Sequence, residues 1–294
     1  MSDKRASSAL RTLLVSTSVL GLAAGIGSLG KLTISDARAQ GLTVNSDQGS
    51  VVPLQSYDFI LIDSANIAPG GVTIAPGIQI GSSATATPSG NGIALINGST
   101  INSTTSPLTD YGILIADGGE VFGNVTGVLV LDSQITASNA DVGNFGLIRA
   151  GTEVSGGPQD SAFGILIADS DGDDIEASVE NGGDIEVSAT AAASAFAAGI
   201  LVQSSGNVDA TIDNSGNISA SSFSGSSARA VGIAAGNEGS IGGTGSVTGQ
   251  IVNSGASSID VAAFASGVSV ADAAATGIDH YSVDTANTTV SASN

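Results

Sequence analysis

The chain has 294 residues, contains no Cys and no Trp, and carries 27 acidic residues against seven basic ones. The lack of Cys excludes disulfide bonds and thiolate metal sites. A formal net charge of −20 disfavours binding to nucleic acid or to anionic lipid, because both interactions depend on Lys and Arg.

The first 39 residues have the organisation of a secretory signal peptide. Lys4, Arg5 and Arg11 precede an uncharged, largely apolar stretch at 12–30, and Ala37-Arg38-Ala39 places small residues around a cleavage site. We therefore expect the chain to be exported and cleaved near Ala39. The uncharged stretch is also just long enough for a membrane anchor, although Ser, Thr and Gly interrupt it.

Removal of this segment leaves a more acidic chain. Five of the seven basic residues and two of the 27 acidic ones lie within residues 1–39, which leaves Arg149 and Arg229 against 25 acidic residues. The net charge of residues 40–294 is then −23. Self-repulsion keeps such a chain soluble, and we expect it to bind neither nucleic acid nor an anionic membrane directly.

Residues 40–90 are less regular than the rest of this chain. The stretches 58–63 and 71–74 look like strands, and four of the six Pro residues fall here. Pro blocks pairing at a sheet edge, and the first repeat of a solenoid needs an atypical cover. We interpret residues 40–90 as an N-terminal cap with the first coils.

Residues 91–294 carry a degenerate repeat in which Gly precedes an apolar residue. Intervals between these Gly anchors cluster near 34 residues and near half that value. The anchors are Gly92, Gly112, Gly146, Gly164, Gly199, Gly232 and Gly267, and Gly127 divides one long interval. A fixed period of this size indicates a solenoid, and the half intervals favour a unit of roughly 17–20 residues.

Turn phrases that begin with Asn fall between the anchors. They read Asn181-Gly-Gly-Asp-Ile185 and Asn214-Ser-Gly-Asn-Ile218, with looser copies at Asn97 and Asn253. Asn and Gly tolerate the backbone conformations of tight turns. Each phrase therefore predicts a turn, after which an Ile opens the next strand.

Within the repeats, the hydrophobic pattern has a period of two. Apolar and polar residues alternate at 175–180, 184–187 and 208–213, as in strands with one buried face. These features predict an all-β parallel β-helix whose coils of roughly 17–20 residues stack at about 4.8 Å. Residues 40–294 would then form about 13–14 coils.

Aromatic residues precede several of the anchors. Tyr111, Phe145 and Phe163 precede a Gly directly, and Phe196 and Phe264 lie three residues before one. We expect these rings to stack in register from coil to coil, and to belong to the core rather than to a ligand platform.

The repeat resembles those of bacterial autotransporter passenger domains and of related filamentous haemagglutinin-like adhesins. The signal-like segment, the Gly-Ile anchors and the Asn-Ser-Gly-Asn-Ile phrase carry the resemblance, which covers about residues 90–294. It implies a parallel β-helix displayed at the surface of a Gram-negative bacterium. It also implies an outer-membrane translocator, and a glycan or protein on a host or cell surface, as partners.

The sequence departs from this family at its C-terminal end. Autotransporters end in a translocator barrel, whose strands alternate over about ten residues between aromatic girdles. Residues 260–294 hold only Phe264 and Tyr281 as aromatic residues, so we expect no C-terminal β-barrel. A truncated reading frame, export by a separate partner and release in the periplasm are the alternatives that follow.

The sharpest cluster of ligand-type residues is acidic. Asp169, Asp171, Asp173 and Asp174 lie within six residues of one another, and carboxylates in a tight turn can bind Ca²⁺. The EF-hand pattern is incomplete, because Ser178 stands where its Glu ligand is required. These four Asp residues are the candidate Ca²⁺ site, and a solvated acidic turn is the favoured interpretation.

No catalytic motif accompanies the repeat. His280 is the only His, and neither a Gly-x-Ser-x-Gly nor a His-x-x-x-His motif is present. Glycosidases need only two carboxylates, which Asp173 and Asp174, or Asp184 and Glu186, would supply. We expect a non-catalytic exported adhesin or stalk without a cofactor. A secreted β-helical enzyme acting on neutral glycans and an acidic, Ca²⁺-bridged extracellular matrix protein are the alternatives.

Overall fold

The computed structural model describes most of the chain after residue 40. The described ranges are 41–81, 90–103, 111–236, 246–255, 257–266, 272–281 and 291–293, and all of them belong to one compact unit, Arg38–Asn294. The predicted signal peptide at 1–39 and the predicted anchor at Gly267 lie outside these ranges.

Within these ranges the chain forms short strands and one helical turn. The strands are β1 (Leu42–Val44), β2 (Ile60–Asp63), β3 (Asn66–Ile67), β4 (Val72–Ile74), β5 (Gln79–Ile80), β6 (Asn91–Ile96), β7 (Thr100–Ser103), β8 (Tyr111–Ile115), β9 (Glu120–Gly123), β10 (Thr126–Leu131), β11 (Gln134–Ala137), β12 (Ala140–Asn144), β13 (Leu147–Gly151), β14 (Ser161–Asp169), β15 (Ile175–Asn181), β16 (Asp184–Ala191), β17 (Ser194–Ser204), β18 (Val208–Asn214), β19 (Asn217–Ser224), β20 (Ser227–Gly236), β21 (Val247–Asn253), β22 (Ile259–Ala265), β23 (Asp272–Tyr281) and β24 (Ser291–Ser293). The helical turn α1 spans Thr152–Ser155, between β13 and β14.

The strands form three long parallel sheets that the chain visits in turn. Sheet 1 has the order β1-β2-β6-β10-β14-β17-β20-β23, sheet 2 the order β4-β8-β12-β15-β18-β21-β24, and sheet 3 the order β5-β9-β13-β16-β19-β22. A short sheet, β3-β7-β11, lies between sheets 1 and 2 in the early coils. All the strand pairings that build these sheets are parallel. The predicted all-β parallel β-helix is therefore confirmed.

One coil holds about twice as many residues as the sequence analysis predicted. Ile200 pairs with Ile165, 35 residues before it, and with Ile233, 33 residues after it. Only the first coil is short, since Leu42 pairs with Ile60, 18 residues later. The coil of 17–20 residues was wrong beyond this point. Within the described ranges, the eight strands of sheet 1 mark eight coils rather than the 13–14 expected, over about 34 Å at the usual strand spacing.

The error came from anchors that belong to different sides of the coil. Gly112 lies in β8 of sheet 2, and Gly146 lies in the turn between sheets 2 and 3. Gly164, Gly199 and Gly232 all lie in sheet 1. The half intervals therefore measured the distance between faces of one coil, not the distance between coils.

The core consists of columns of apolar side chains that point into the coil. In sheet 1 the column contains Ile60, Ile93, Val128, Ile165, Ile200 and Ile233, all fully buried. Exposure alternates strictly along β18 and β19, as the period of two predicted for 208–213. Because successive strands are in register, each inward Ile packs on the Ile or Val of the next coil.

The Gly anchors of sheet 1 make room for the neighbouring sheet. A Cβ atom at Gly199 would collide with Cγ2 of Ile218 in sheet 3 and with the carbonyl oxygen of Gly232. The sheet-1 anchor of the last coil is Gly277, next to Ile278, which pairs with Ile233. The repeat in the sequence does not reveal it, because that coil is 45 residues long and falls outside the period.

Candidate functional site

A ladder of Asn side chains closes the corner between sheets 2 and 3. Asn144 donates to Asn181 at 2.7 Å, Asn181 to Asn214 at 2.6 Å, and Asn214 to Asn253 at 2.6 Å, each through Nδ2 to Oδ1. The first three side chains are fully buried, so the ladder satisfies amides that water cannot reach. The looser phrase at Asn97 lies elsewhere, between β6 and β7. The ladder therefore holds successive coils together at this corner.

The four Asp residues of the predicted Ca²⁺ site lie in the turn between β14 and β15. Asp169 Oδ1 accepts hydrogen bonds from the backbone N–H groups of residues 171–173, at 2.8–3.0 Å. Asp174 Oδ1 accepts hydrogen bonds from N and Nδ2 of Asn207 in the next coil, both at 2.9 Å. These bonds from Asn207 lower the pKa of Asp174.

This turn uses two of its carboxylates to hold the backbone. Asp169 closes the turn itself, and Asp174 ties it to the following coil. Across the described ranges, no three Asp, Glu or His side chains converge closely enough to hold a metal ion. A Ca²⁺ site at Asp169, Asp171, Asp173 and Asp174 stays a prediction that the geometry does not support.

The outer face of sheet 2 carries columns of like charge. Glu176 lies opposite Asp209, and Glu180 lies opposite Asp213, on the adjacent strands β15 and β18. Like charges directly opposite each other on neighbouring strands destabilise a sheet. This face is acidic and solvated, as the alternation of the sequence predicted.

Asp141 on β12 is the one acidic side chain among the described residues that is buried. Its Oδ2 accepts a hydrogen bond from Ser178 N at 2.8 Å, and its own N–H donates to Ser178 Oγ at 3.0 Å. Burial raises the pKa of Asp141 to about 6, against the lowering effect of the Ser178 bonds, and the charge of Glu176 raises it further. No motif surrounds Asp141, so the sequence alone does not single it out.

The aromatic residues form separate pairs on the outside of the coils. The pairs are Tyr111 with Phe145 and Phe163 with Phe196, both edge to face, and Phe223 with Phe264, which stack at 4.9 Å. Phe264 is 56% exposed, so the expectation of one continuous array in the core was wrong. Ile, Val and Ala fill the inward columns instead, and the aromatic rings lie on the outer faces.

Arg149 joins three successive coils on the outer face of sheet 3. It lies opposite Phe122 on one neighbouring strand and opposite Glu186 on the other. Its guanidinium carbon is 5.8 Å from the centroid of the Phe122 ring, and its Nε donates to Glu186 Oε2 at 2.7 Å. The residue thus combines a cation–π contact with an ion pair along the axis of the stack.

Arg229 makes the equivalent contacts on sheet 1. Its guanidinium carbon is 5.3 Å from the centroid of the Phe196 ring in the preceding coil. Its Nη2 donates to Asp279 Oδ2 at 3.2 Å in the following coil. Both Arg residues within residues 40–294 therefore form contacts between neighbouring coils.

An open groove of ≈ 470 Å³ lies beside Arg229, at the corner between sheets 3 and 1. Its polar and aromatic lining consists of Asp160, Ser161, Ser194, Phe196, Ser227 and Arg229. A smaller groove of ≈ 180 Å³ lies on sheet 3 between Glu153 and Glu186. Neither groove could be predicted from the sequence, because the lining residues come from different coils.

The comparisons with known proteins assign no family to this chain. No family model matches it, and no match was found among curated proteins or among solved structures. In the part of the chain that the structure describes, no helix is long and apolar enough to span a membrane.

Proposed function

We propose that this chain is a non-catalytic protein exported to the surface of a Gram-negative bacterium, where its stacked coils act as a stalk or adhesin. The observation that carries this proposal is the continuous parallel stack of coils in sheet 1. Every coil adds a row of backbone hydrogen bonds along one axis. A solenoid of this kind suits a rigid spacer that holds a binding surface away from the cell.

The outer surface supports the same role. Strands β18 and β19 alternate between buried and exposed positions, and the sheet-2 face carries acidic columns. A net charge of −23 on residues 40–294 keeps such a stack soluble and separate from its neighbours. The Arg149 and Arg229 contacts stiffen it along its axis.

The sequence at the N-terminus supports export. Lys4, Arg5 and Arg11, the uncharged stretch 12–30 and the small residues before Gln40 follow the order of a signal peptide. A translocator in the outer membrane would complete the route, as the resemblance to autotransporter passengers implies. A glycan or a protein on a host or cell surface would be the binding partner.

Export is tested by expression of the full chain in a Gram-negative host, followed by fractionation and N-terminal sequencing. We expect the chain outside the cytoplasm, with Gln40 at its N-terminus. A matched variant with Lys4, Arg5 and Arg11 replaced by Ser should accumulate uncleaved inside the cell. Antibodies against residues 40–294 should then label intact cells of the source bacterium. An uncleaved wild-type chain in the cytoplasm, or unlabelled cells, would contradict the proposal.

One observation favours a second candidate, a β-helical glycosidase acting on neutral glycans. Burial raises the pKa of Asp141 to about 6, within the range that suits a general acid, and Glu176 and Glu180 lie on the same sheet face. The test is the release of reducing sugars from neutral glycans between pH 5 and 7. Release that is lost in Asp141→Asn would support this candidate, and the absence of release would reject it.

A further inference from the structure

We propose that the open edge of β11 binds an extended, basic peptide segment of a partner protein. The proposal deepens the adhesin function, because it names the class of partner and its place in the fold, and it rests on that function for its biological meaning. The edge belongs to the short sheet β3-β7-β11, in which β11 is the last strand.

The short sheet stops inside the stack, whereas sheets 1, 2 and 3 continue through the later coils. At its other end, β3 is covered by Gln48, whose N–H donates to the carbonyl oxygen of Asn66 at 3.0 Å. No strand of the described ranges pairs with the far edge of β11. An unpaired strand edge is a template on which another chain can form a strand.

The backbone of β11 presents donors and acceptors to this edge. Gln134 N–H donates to the carbonyl oxygen of Ser99 in the preceding coil at 3.0 Å, so Gln134 faces β7. Because successive residues of a strand face its two neighbours alternately, the N–H and C=O groups of Ile135 and Ala137 face the open edge. Neither Pro nor Lys, which commonly protect such edges, occurs in β11.

The next coil supplies a turn where a further strand of the short sheet would lie. Sheets 1 and 2, on the two sides of β11, both place this coil 37 residues further along the chain, so residues 171–174 correspond to β11. Gly172 has a φ of 92°, outside the extended region. Ser204 Oγ donates to the carbonyl oxygen of Asp173 at 2.6 Å, which ties the turn to the coil after it. The far edge of β11 is therefore left without a strand.

An apolar column also ends at β11 without a cover. Ile67, Ile101 and Ile135 lie in register on the three strands of the short sheet. Ile67 and Ile101 are buried, whereas Ile135 and Ala137 are partly exposed. An apolar side chain on an added strand would cover Ile135 and extend the column. Since side chains alternate along a strand, the neighbouring positions of the peptide would point outwards.

The charges beside the edge favour a basic peptide. Asp132, just before β11, accepts a hydrogen bond from Ser170 N at 2.7 Å, so the acidic turn 169–174 starts at one end of the edge. Asp171 and Asp173 are exposed, and their carboxylates accept no hydrogen bond from the described residues. Outward Lys or Arg side chains of the peptide would meet these carboxylates. An acidic peptide would be repelled by them and by the net charge of −23 on residues 40–294.

The test measures the binding of a fluorescent peptide of alternating Val and Lys to the purified full chain by anisotropy. We expect saturable binding of one peptide per chain. A control peptide of equal charge with Pro at two adjacent central positions lacks an N–H on each of its edges, and it should bind about tenfold more weakly or worse. A peptide with Glu in place of Lys should not bind.

Variants locate the site on the chain. Ala137→Pro removes an N–H from the open edge but none from the ladder with β7, and it should weaken binding by about tenfold or more. Asp171→Asn combined with Asp173→Asn should weaken it by about threefold or more. Asp209→Asn combined with Asp213→Asn is the matched control, because it removes the same charge from exposed positions of β18, and it should weaken binding less. Melting curves confirm that each variant is folded.

Hydrogen exchange tests the same edge in the wild-type chain, without any substitution. The alternating peptide should slow the exchange of the Ile135 and Ala137 amides, because a new strand would accept hydrogen bonds from them. The Pro-containing peptide should leave this exchange unchanged. Protection of these two amides by the first peptide alone would support the proposal.

Several results would overturn the peptide site. They are no binding of the alternating peptide, equal binding of the Pro-containing peptide, equal loss in the two pairs of Asp variants, and unchanged exchange at Ile135 and Ala137. Self-association of the chain that Ala137→Pro abolishes would assign the edge to a second copy instead. None of these results depends on export, because the protein is assayed in solution. Failure of the proposed surface location would show instead as an uncleaved or cytoplasmic chain.

Discussion

Asn181 donates its side-chain amide to Asn214 at 2.6 Å, and both side chains are fully buried. Replacing Asn214 with Ala removes the acceptor of Asn181 and the donor to Asn253 at once. A buried polar group without a partner costs about 1–3 kcal/mol. We expect Asn214→Ala to lower the free energy of unfolding by about 2–4 kcal/mol, as measured by urea denaturation.

Asn217→Ala is the control for the ladder. Asn217 begins β19 and is exposed; it donates to Asp184 at 3.0 Å and accepts from Ser258 N and Oγ at 3.1–3.2 Å, and water can replace each of these partners. Its loss should cost about 0.5 kcal/mol or less. If Asn214→Ala and Asn217→Ala lowered the free energy of unfolding equally, the buried ladder would contribute no more to stability than an exposed hydrogen bond does.

The Gly column of sheet 1 should tolerate no side chain at Gly199. Gly199→Ala places a Cβ against Cγ2 of Ile218 and the carbonyl oxygen of Gly232, and one of these is backbone. Overpacking of this kind costs about 1–3 kcal/mol or more. We expect a clear fall in melting temperature for Gly199→Ala and almost none for Gly157→Ala, since nothing lies within 4 Å of a Cβ at Gly157. Equal melting temperatures would contradict the close approach of sheet 3.

These residues show how far the sequence predicts the fold. The alternation at 208–213 and the Gly-Ile anchors depend only on the local geometry of a single strand. They could therefore be recognised in the sequence, and they predicted a parallel β-helix. Coil length depends on which anchors share a sheet. Gly146 and Gly164 look alike in the sequence but lie on different sides of the coil, so the period was halved.

We expect the free energy of unfolding to change with pH because Asp141 titrates. Its folded pKa of about 6 lies above the ordinary 3.8, so the folded chain binds this proton more tightly than the unfolded chain does. The stabilisation is fully present below about pH 4 and is lost as the pH rises through about 6. Two pKa units correspond to at most about 3 kcal/mol.

Asp141→Asn removes this dependence. The Asn carbonyl can still accept the hydrogen bond from Ser178 N, but it carries no charge to desolvate. We expect the variant to be more stable than the wild type at pH 7.5 and equal to it at pH 4, by urea denaturation across the range. Parallel pH profiles for the two proteins would contradict the raised pKa.

The opposed acids of sheet 2 predict a stabilising substitution on the surface. Asp213→Asn removes one of two carboxylates that face each other with Glu180. We expect a gain of about 0.2–1 kcal/mol at low salt, which shrinks at 1 M NaCl because salt screens the repulsion. Asp260→Asn is the control, since Asp260 lies opposite Ser219, and it should gain less. A gain that does not depend on salt would assign the effect to another cause.

The candidate sites were harder to predict than the fold. The acidic residues that begin at Asp169 are contiguous in sequence, and this pattern suggested a metal site. In the folded turn, however, Asp169 accepts hydrogen bonds from the backbone of the turn itself. The groove gathers Ser161, Ser194 and Ser227 from three coils. Ser is frequent throughout the chain, and only the register of 33 to 35 residues between these coils shows which of them line one groove.

That register underlies both the stalk and the groove, and it can be measured directly because the chain has no Cys. Ser194 and Ser227 are opposite one another in sheet 1, within the distance that a disulfide spans. We predict that a Ser194→Cys, Ser227→Cys variant forms an intramolecular disulfide on mild oxidation. A Ser194→Cys, Asp213→Cys variant, with the spacing of a 19-residue coil, should stay reduced. A disulfide in the second variant and none in the first would contradict the coil described here.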